Sequence, residues 1–151
     1  MGTEADARAE IANLLFTYAS LVDAGDFDAV GRLFAHGRLT DGGALDVRGA
    51  EAVAALYRRT TRIHPDTRTP KTQHLVTNLM TEVDEDAGTA TCRARYTVLQ
   101  QTATLPLQPI IAGRYEDRFE RTDGAWRFVE KRFFVDLVGD VSQHLLIELE
   151  R

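Results

Sequence analysis

Over the first forty or so residues apolar positions recur at helical spacing, and over the last half they alternate. From about Ala5 to Ala24, the stripe Ile11, Leu14, Leu15, Tyr18, Leu21 and Val22 predicts a helix that Gly25 ends. Asp26 then caps a short second helix, FDAVGRLFA, with Phe27, Val30, Leu33 and Phe34 along its apolar side. The segments GRLT and ALDVR flank the turn residues Asp41, Gly42 and Gly43 and predict a hairpin. A third helix is expected from about Ala50 to Thr61. Past the proline-marked loop RIHPDTRTPK the period falls to two, which predicts strands at Lys71–Asp84, Thr89–Thr102, Ile110–Arg121 and Trp126–Val138. Helices first and antiparallel strands after make an α+β fold. The expected form is a cone-shaped α+β barrel, its N-terminal helices packed on a curved, mostly antiparallel sheet that encloses a pocket. No repeat or linker divides the chain, so residues 1–151 are expected to form one domain.

Composition excludes several functions. A net charge of −5 lacks the basic footprint of a nucleic-acid binder. No apolar run approaches a membrane span, and the start, MGTEADARAE, has no secretory-leader pattern. Position 6 is Asp where a myristoylation motif needs Ser or Thr. A single cysteine, Cys92, forms no internal disulfide framework and no cysteine-based zinc site, and a cytoplasmic location is expected. There is no P-loop, G-x-G-x-x-G or G-x-S-x-G, and no histidine pair has the spacing of H-E-x-x-H. Neither metal nor cofactor is expected.

Three residues carry candidate chemistry. Asp23 lies in the last turn of the first helix, where the helix dipole favours cations, and at the margin of the apolar stripe. It either solvates the helix end or faces the interior for a purpose. Tyr18 is either a core aromatic or a phenol pointing into a cavity. On the strand KTQHLVTN, alternation puts Thr72, His74, Val76, Asn78 and Met80 on one mixed face, which suits a pocket wall. His74 is either a structural histidine there or a base. In the last strand Trp126, Phe128, Glu130, Arg132 and Phe134 share a face opposite Arg127, Val129, Lys131, Phe133 and Val135. Periodicity leaves open which face is inside.

The passages TYASLVDAGDFDAVGRLFA, VRGAEAVAALY, TQHLVTN and DGAWRFVEKRFFVD, in this order, resemble the SnoaL-like branch of the nuclear transport factor 2-like (NTF2-like) superfamily. The resemblance is nearest the group of scytalone dehydratase, bile acid 7α-dehydratase and hexachlorocyclohexane dehydrochlorinase. It implies a catalytic Asp–His dyad, matched by Asp23 and His74, with Tyr18 and Arg132 as assisting groups. It implies a cofactor-independent lyase or isomerase acting on a small hydrophobic polyketide, steroid-like or terpenoid molecule. The expected pocket wall is Phe34, Val76, Asn78, Met80, Tyr96, Val98, Tyr115, Trp126 and Phe128. Scytalone dehydratase has a second histidine where Val98 and Leu99 stand, and a serine and an asparagine near Gly113 and Tyr115, so scytalone is not the expected substrate. The superfamily also holds ligand-binding proteins and small subunits of ring-hydroxylating dioxygenases, and both remain alternatives. A homo-oligomer, trimer or dimer, is expected from Leu75, Leu79, Val129, Phe133 and Val135 on an outer sheet face.

Overall fold

The computed structural model describes residues 2–149. Its elements run α1 (Glu4–Ala24), α2 (Phe27–Leu33), β1 (Arg38–Thr40), β2 (Asp46–Arg48), α3 (Ala50–Thr60), β3 (Thr72–Asp84), β4 (Thr89–Gln100), β5 (Gln108–Thr122) and β6 (Ala125–Val138). All the expected elements are present. Gly25 closes α1 in the left-handed conformation at φ 71°, and Asp26 caps α2 by accepting from Ala29 N–H at 3.1 Å. The strands form one sheet in the order β2-β1-β6-β5-β4-β3, antiparallel except for the β1–β6 pairing. The barrel stays open, with β2 and β3 as its edges, and the helices complete the enclosure. Ile11, Leu15, Tyr18 and Val22 of α1 join Phe34 and the inner residues of β4, β5 and β6 in one core.

Alternation fails at two places that matter. Between Thr77 and Met80 the β3–β4 register shifts by one residue, and Asn78 sits there at φ 56°. Asparagine tolerates that backbone region better than most residues. This β-bulge exchanges the faces of β3. Thr72, His74 and Val76 point inward before it, whereas Leu79 and Val83 pack on the core after it. Asn78 and Met80, expected in the pocket, are therefore exposed on the outer face.

The second bulge is at Val129, where Phe119 pairs with Phe128 but Arg118 pairs with Glu130. Trp126 and Phe128 face the core before it, and Lys131 and Phe133 after it. Arg132 is thereby placed outside, its guanidinium 4.9 Å from the Phe134 ring and beside Gly42, rather than in the interior. The interior cation is Lys131, which is fully buried. The same bulges turn Leu79 and Phe133, two residues of the expected apolar outer face, inward, while Leu75 and Val135 stay exposed on it.

Gly113 is required for space rather than for backbone freedom. A Cβ there would lie 1.8 Å from the Phe134 carbonyl oxygen and 2.8 Å from the Tyr96 ring. That closeness lets Tyr96 donate its hydroxyl to Phe134 O at 2.9 Å. Gly113→Ala is expected to cost about 1–3 kcal/mol by overpacking, read as a lower urea midpoint with an altered near-UV tyrosine signal.

Candidate functional site

Asp23 and His74 meet where the end of α1 crosses the start of β3. Asp23 Oδ1 stands 2.6 Å from His74 Nδ1 and accepts from Thr72 Oγ1 at 2.8 Å. Asp23 Oδ2 accepts from His74 backbone N–H at 2.8 Å. A carboxylate with three donors around it is held in one orientation. An ionised carboxylate only accepts, so this contact selects, for a neutral imidazole, the tautomer with its proton on Nδ1 and its lone pair on Nε2. The His74 side chain is 8% exposed and that of Asp23 20%, so the pair is shielded. Thr72 lies two residues before His74 on the same strand face, and this spacing was the available signal for its part in the clamp.

Inward from the pair, beyond Val76 and its cross-strand partner Tyr96, all four tyrosines of the chain, Tyr18, Tyr57, Tyr96 and Tyr115, form one cluster. Tyr96 and Tyr115 stack with centroids 4.4 Å apart, and Tyr18 meets Tyr115 edge-on at 6.0 Å. The Tyr18 hydroxyl hydrogen-bonds the Tyr57 hydroxyl, a partner that no sequence pattern indicated. Burial raises the phenol pKa values of Tyr18, Tyr96 and Tyr115, and that of Tyr57 to about 12, so all four are neutral donors at physiological pH.

Of the expected pocket wall, Val98 is the cross-strand neighbour of His74, and Val76 pairs with Tyr96. Tyr115 follows in the same interior through its stack on Tyr96. Phe34 meets Tyr18 edge-on at 6.2 Å and stacks on Phe128, which packs on Phe119, so these rings continue the aromatic interior away from His74, while the Trp126 backbone N–H donates to Glu10. Lys131 reaches the same tyrosine cluster, beside Tyr18 and Tyr115. Its Nζ bonds Asp117 at 2.8 Å and lies 3.4 Å from the centre of the Tyr115 ring.

Sequence reasoning missed His144. The segment after β6 runs back across the end of the sheet that carries His74. It brings this imidazole, 5% exposed, to a centroid distance of 6.5 Å from His74. No periodicity marks the segment.

Two surface hollows lie elsewhere. One, of about 530 Å³, is on the outer sheet face among Glu82, Arg93, Glu116, Arg118, Glu130 and Arg132. The other, of about 500 Å³, lies between the α2 end and β2. Neither touches Asp23 or His74, and charges in them pair on the surface, as Arg118 does with Glu130 at 2.6 Å. Among the described residues no group of three or more His, Cys, Asp or Glu side chains is gathered as for a metal. No helix among the described residues is long and apolar enough to cross a membrane.

The sequence matches the SnoaL-like domain over residues 3–132. The chain belongs to this family. No curated protein matches it. Solved SnoaL-like and NTF2-like relatives share its architecture. An NTF2-like protein with a cystatin-like fold from Novosphingobium aromaticivorans is 25% identical, with a TM-score of 0.71 over 90% of this chain and 85% of that one. A scytalone dehydratase-like protein from the same organism is 17% identical, with a TM-score of 0.69 over 89% and 87%. LinA is 22% identical, with a TM-score of 0.66 over 87% of both chains. At the last two identities the likeness is one of fold. In this SnoaL-like chain the fold carries the Asp23–His74 contact, the tyrosine cluster and the returning tail.

Proposed function

We propose that this SnoaL-like protein is a cofactor-independent lyase or isomerase of dehydratase type. It acts on a small, largely apolar polyketide, steroid-like or terpenoid molecule. The observation that carries the reading is the bond of 2.6 Å between Asp23 and His74, with the carboxylate fixed by two further donors. Asp23 holds the tautomer that leaves Nε2 basic and stabilises the imidazolium when it forms. His74 Nε2 removes a proton from a carbon next to a carbonyl. In an elimination the electron pair of that C–H bond forms the alkene as the β C–O bond breaks, and the imidazolium returns its proton to the departing oxygen. In an isomerisation the proton returns to a different carbon. Either route conserves the proton and needs no cofactor. The apolar surround of Val76, Val98 and the stacked tyrosines suits a flat ring system and keeps water from the base.

Family membership supports the reading. LinA is an HCH dehydrochlorinase, which makes elimination a chemistry found on this fold. Incubation with a panel of β-hydroxy ketones and enolisable bicyclic ketones in deuterated water tests it. Mass spectrometry is expected to show loss of water or uptake of deuterium with the natural chain, and neither with His74→Ala. Equal rates for the two proteins would refute a His74 base. Tight binding with neither reaction would identify a ligand-binding protein instead.

A further inference from the structure

We propose that His144, carried by the segment after β6, is a second substrate-contacting residue, whose ring hydrogen-bonds a substrate oxygen beside His74. The proposal deepens the reading of the Asp23–His74 site and takes the ligand to sit against that pair.

The backbone around His144 is fully committed. His144 N–H donates to Val141 O at 3.0 Å and its carbonyl accepts from Arg62 N–H at 2.7 Å. The neighbouring Gln143 carbonyl is bonded by His64 Nε2 at 2.9 Å and Gln100 Nε2 at 3.0 Å, and Leu146 N–H donates to Thr60 O at 2.9 Å. The segment is thus tied to α3, to the loop after it and to β4, with His144 at the centre of the ties.

The side chain, by contrast, is uncommitted. His144 Nδ1 is buried and has no hydrogen-bond partner among the described residues. Buried polar nitrogens are nearly always paired, and an exception requires an explanation. A segment needed only to cover the core would carry an apolar residue here, as it does at Val141 and Leu145, which pack against that core. An imidazole held on both sides by backbone bonds, close to the base, is explained by a ligand that completes its bonding.

Its chemistry fits. The groups facing it are His74, Asp23 and His64. Burial, with His74 adding to it, pushes the His144 pKa down to about 4, so the ring is neutral at physiological pH. A neutral imidazole can polarise a carbonyl by donating N–H to the oxygen on which charge develops, with no proton transfer of its own. As His74 takes the C–H proton, His144 stabilises the enolate oxygen. The ligand must therefore carry a carbonyl, enol or phenol oxygen. A halogenated hydrocarbon offers no such acceptor.

The probe is 2-naphthol, a flat bicyclic phenol whose hydroxyl stands in for the enol. The natural chain is expected to bind it, with a shift of the His144 ring signals in ¹⁵N-edited NMR. His144→Ala should weaken binding by about tenfold or more. His144→Gln, whose amide can also donate, should recover most of that loss. Ultraviolet melting curves confirm folding of both variants, and the NMR arm needs no variant. Unchanged ring signals, equal binding by His144→Ala, or no binding by the natural chain would each overturn the assignment. His74→Ala separates the two readings. Binding kept with exchange lost upholds the base, whereas exchange retained refutes the base and leaves the His144 result standing.

Discussion

Asp23→Asn is expected to lower turnover by about 10³- to 10⁴-fold, the scale seen when an orienting carboxylate becomes an amide. The variant keeps the size of the side chain and one acceptor oxygen. Its amide nitrogen must nevertheless replace Oδ1 or Oδ2, and each of those oxygens faces donors: Thr72 Oγ1 and the His74 ring at one, His74 N–H at the other. With the nitrogen toward the ring, the imidazole adopts the tautomer with its proton on Nε2, and the base is lost. With the nitrogen toward the backbone, His74 N–H loses its acceptor at a cost of about 1–3 kcal/mol. Rates on a turned-over ketone, measured beside urea denaturation, separate the two effects. A fully active variant would mean that His74 needs no orienting carboxylate.

Lys131→Met is expected to produce the largest loss of stability, about 3–5 kcal/mol at pH 7, because Asp117 is left buried without its partner. Both side chains are wholly inaccessible, and the Lys131 cation also lies against the Tyr115 and Tyr18 rings at 3.4 and 4.6 Å. Burial already lowers the Lys131 pKa and raises that of Asp117 to about 6 against an ordinary 3.8. Removing the cation, which opposes that rise, places the carboxyl higher still. A raised carboxyl pKa means that folding takes up a proton. The variant should therefore regain stability as pH falls from 7 through that raised value toward 3.8. Combining Lys131→Met with Asp117→Leu should restore much of the loss, since neither charge then remains. Urea midpoints at pH 7 and pH 5 test all three statements. A pH-independent deficit would show that lost packing, not a stranded carboxyl, is responsible.

The elements were legible in the sequence because each has its own signal. α1 has an unbroken stripe and a terminating glycine, and β3 to β6 alternate between turns. Asp23 was legible as a carboxylate at the wrong end of a helix, and His74 as a histidine on a mixed strand face. Their meeting needed tertiary structure, which the family pattern supplied. Asn78, Met80 and Arg132 were misplaced for a single reason. A period of two carries a face assignment only as far as the next bulge. Asn78 itself was a usable sign, as an asparagine inside a strand of otherwise good strand formers. Val129 gives no such sign. Phe34, Trp126 and Phe128 are buried, but how far each stands from His74 was not legible, since alternation reports a face and not a position along it. His144 was invisible because its role depends on where an aperiodic segment returns.

The bulge at Val129 also bears on how relatives of this chain are aligned. An alignment that confines gaps to loops treats β6 as an unbreakable block. Against a relative whose β6 lacks the extra residue, such an alignment would set the inward Lys131 opposite an outward side chain. It would also set Arg132 opposite an inward one. The gap belongs within the strand, beside Val129, and another belongs beside Asn78 wherever a relative's β3 runs straight. Placed there, the gaps keep each residue matched to others on its own side of the sheet, so that substitutions compared between family members describe one chemical environment.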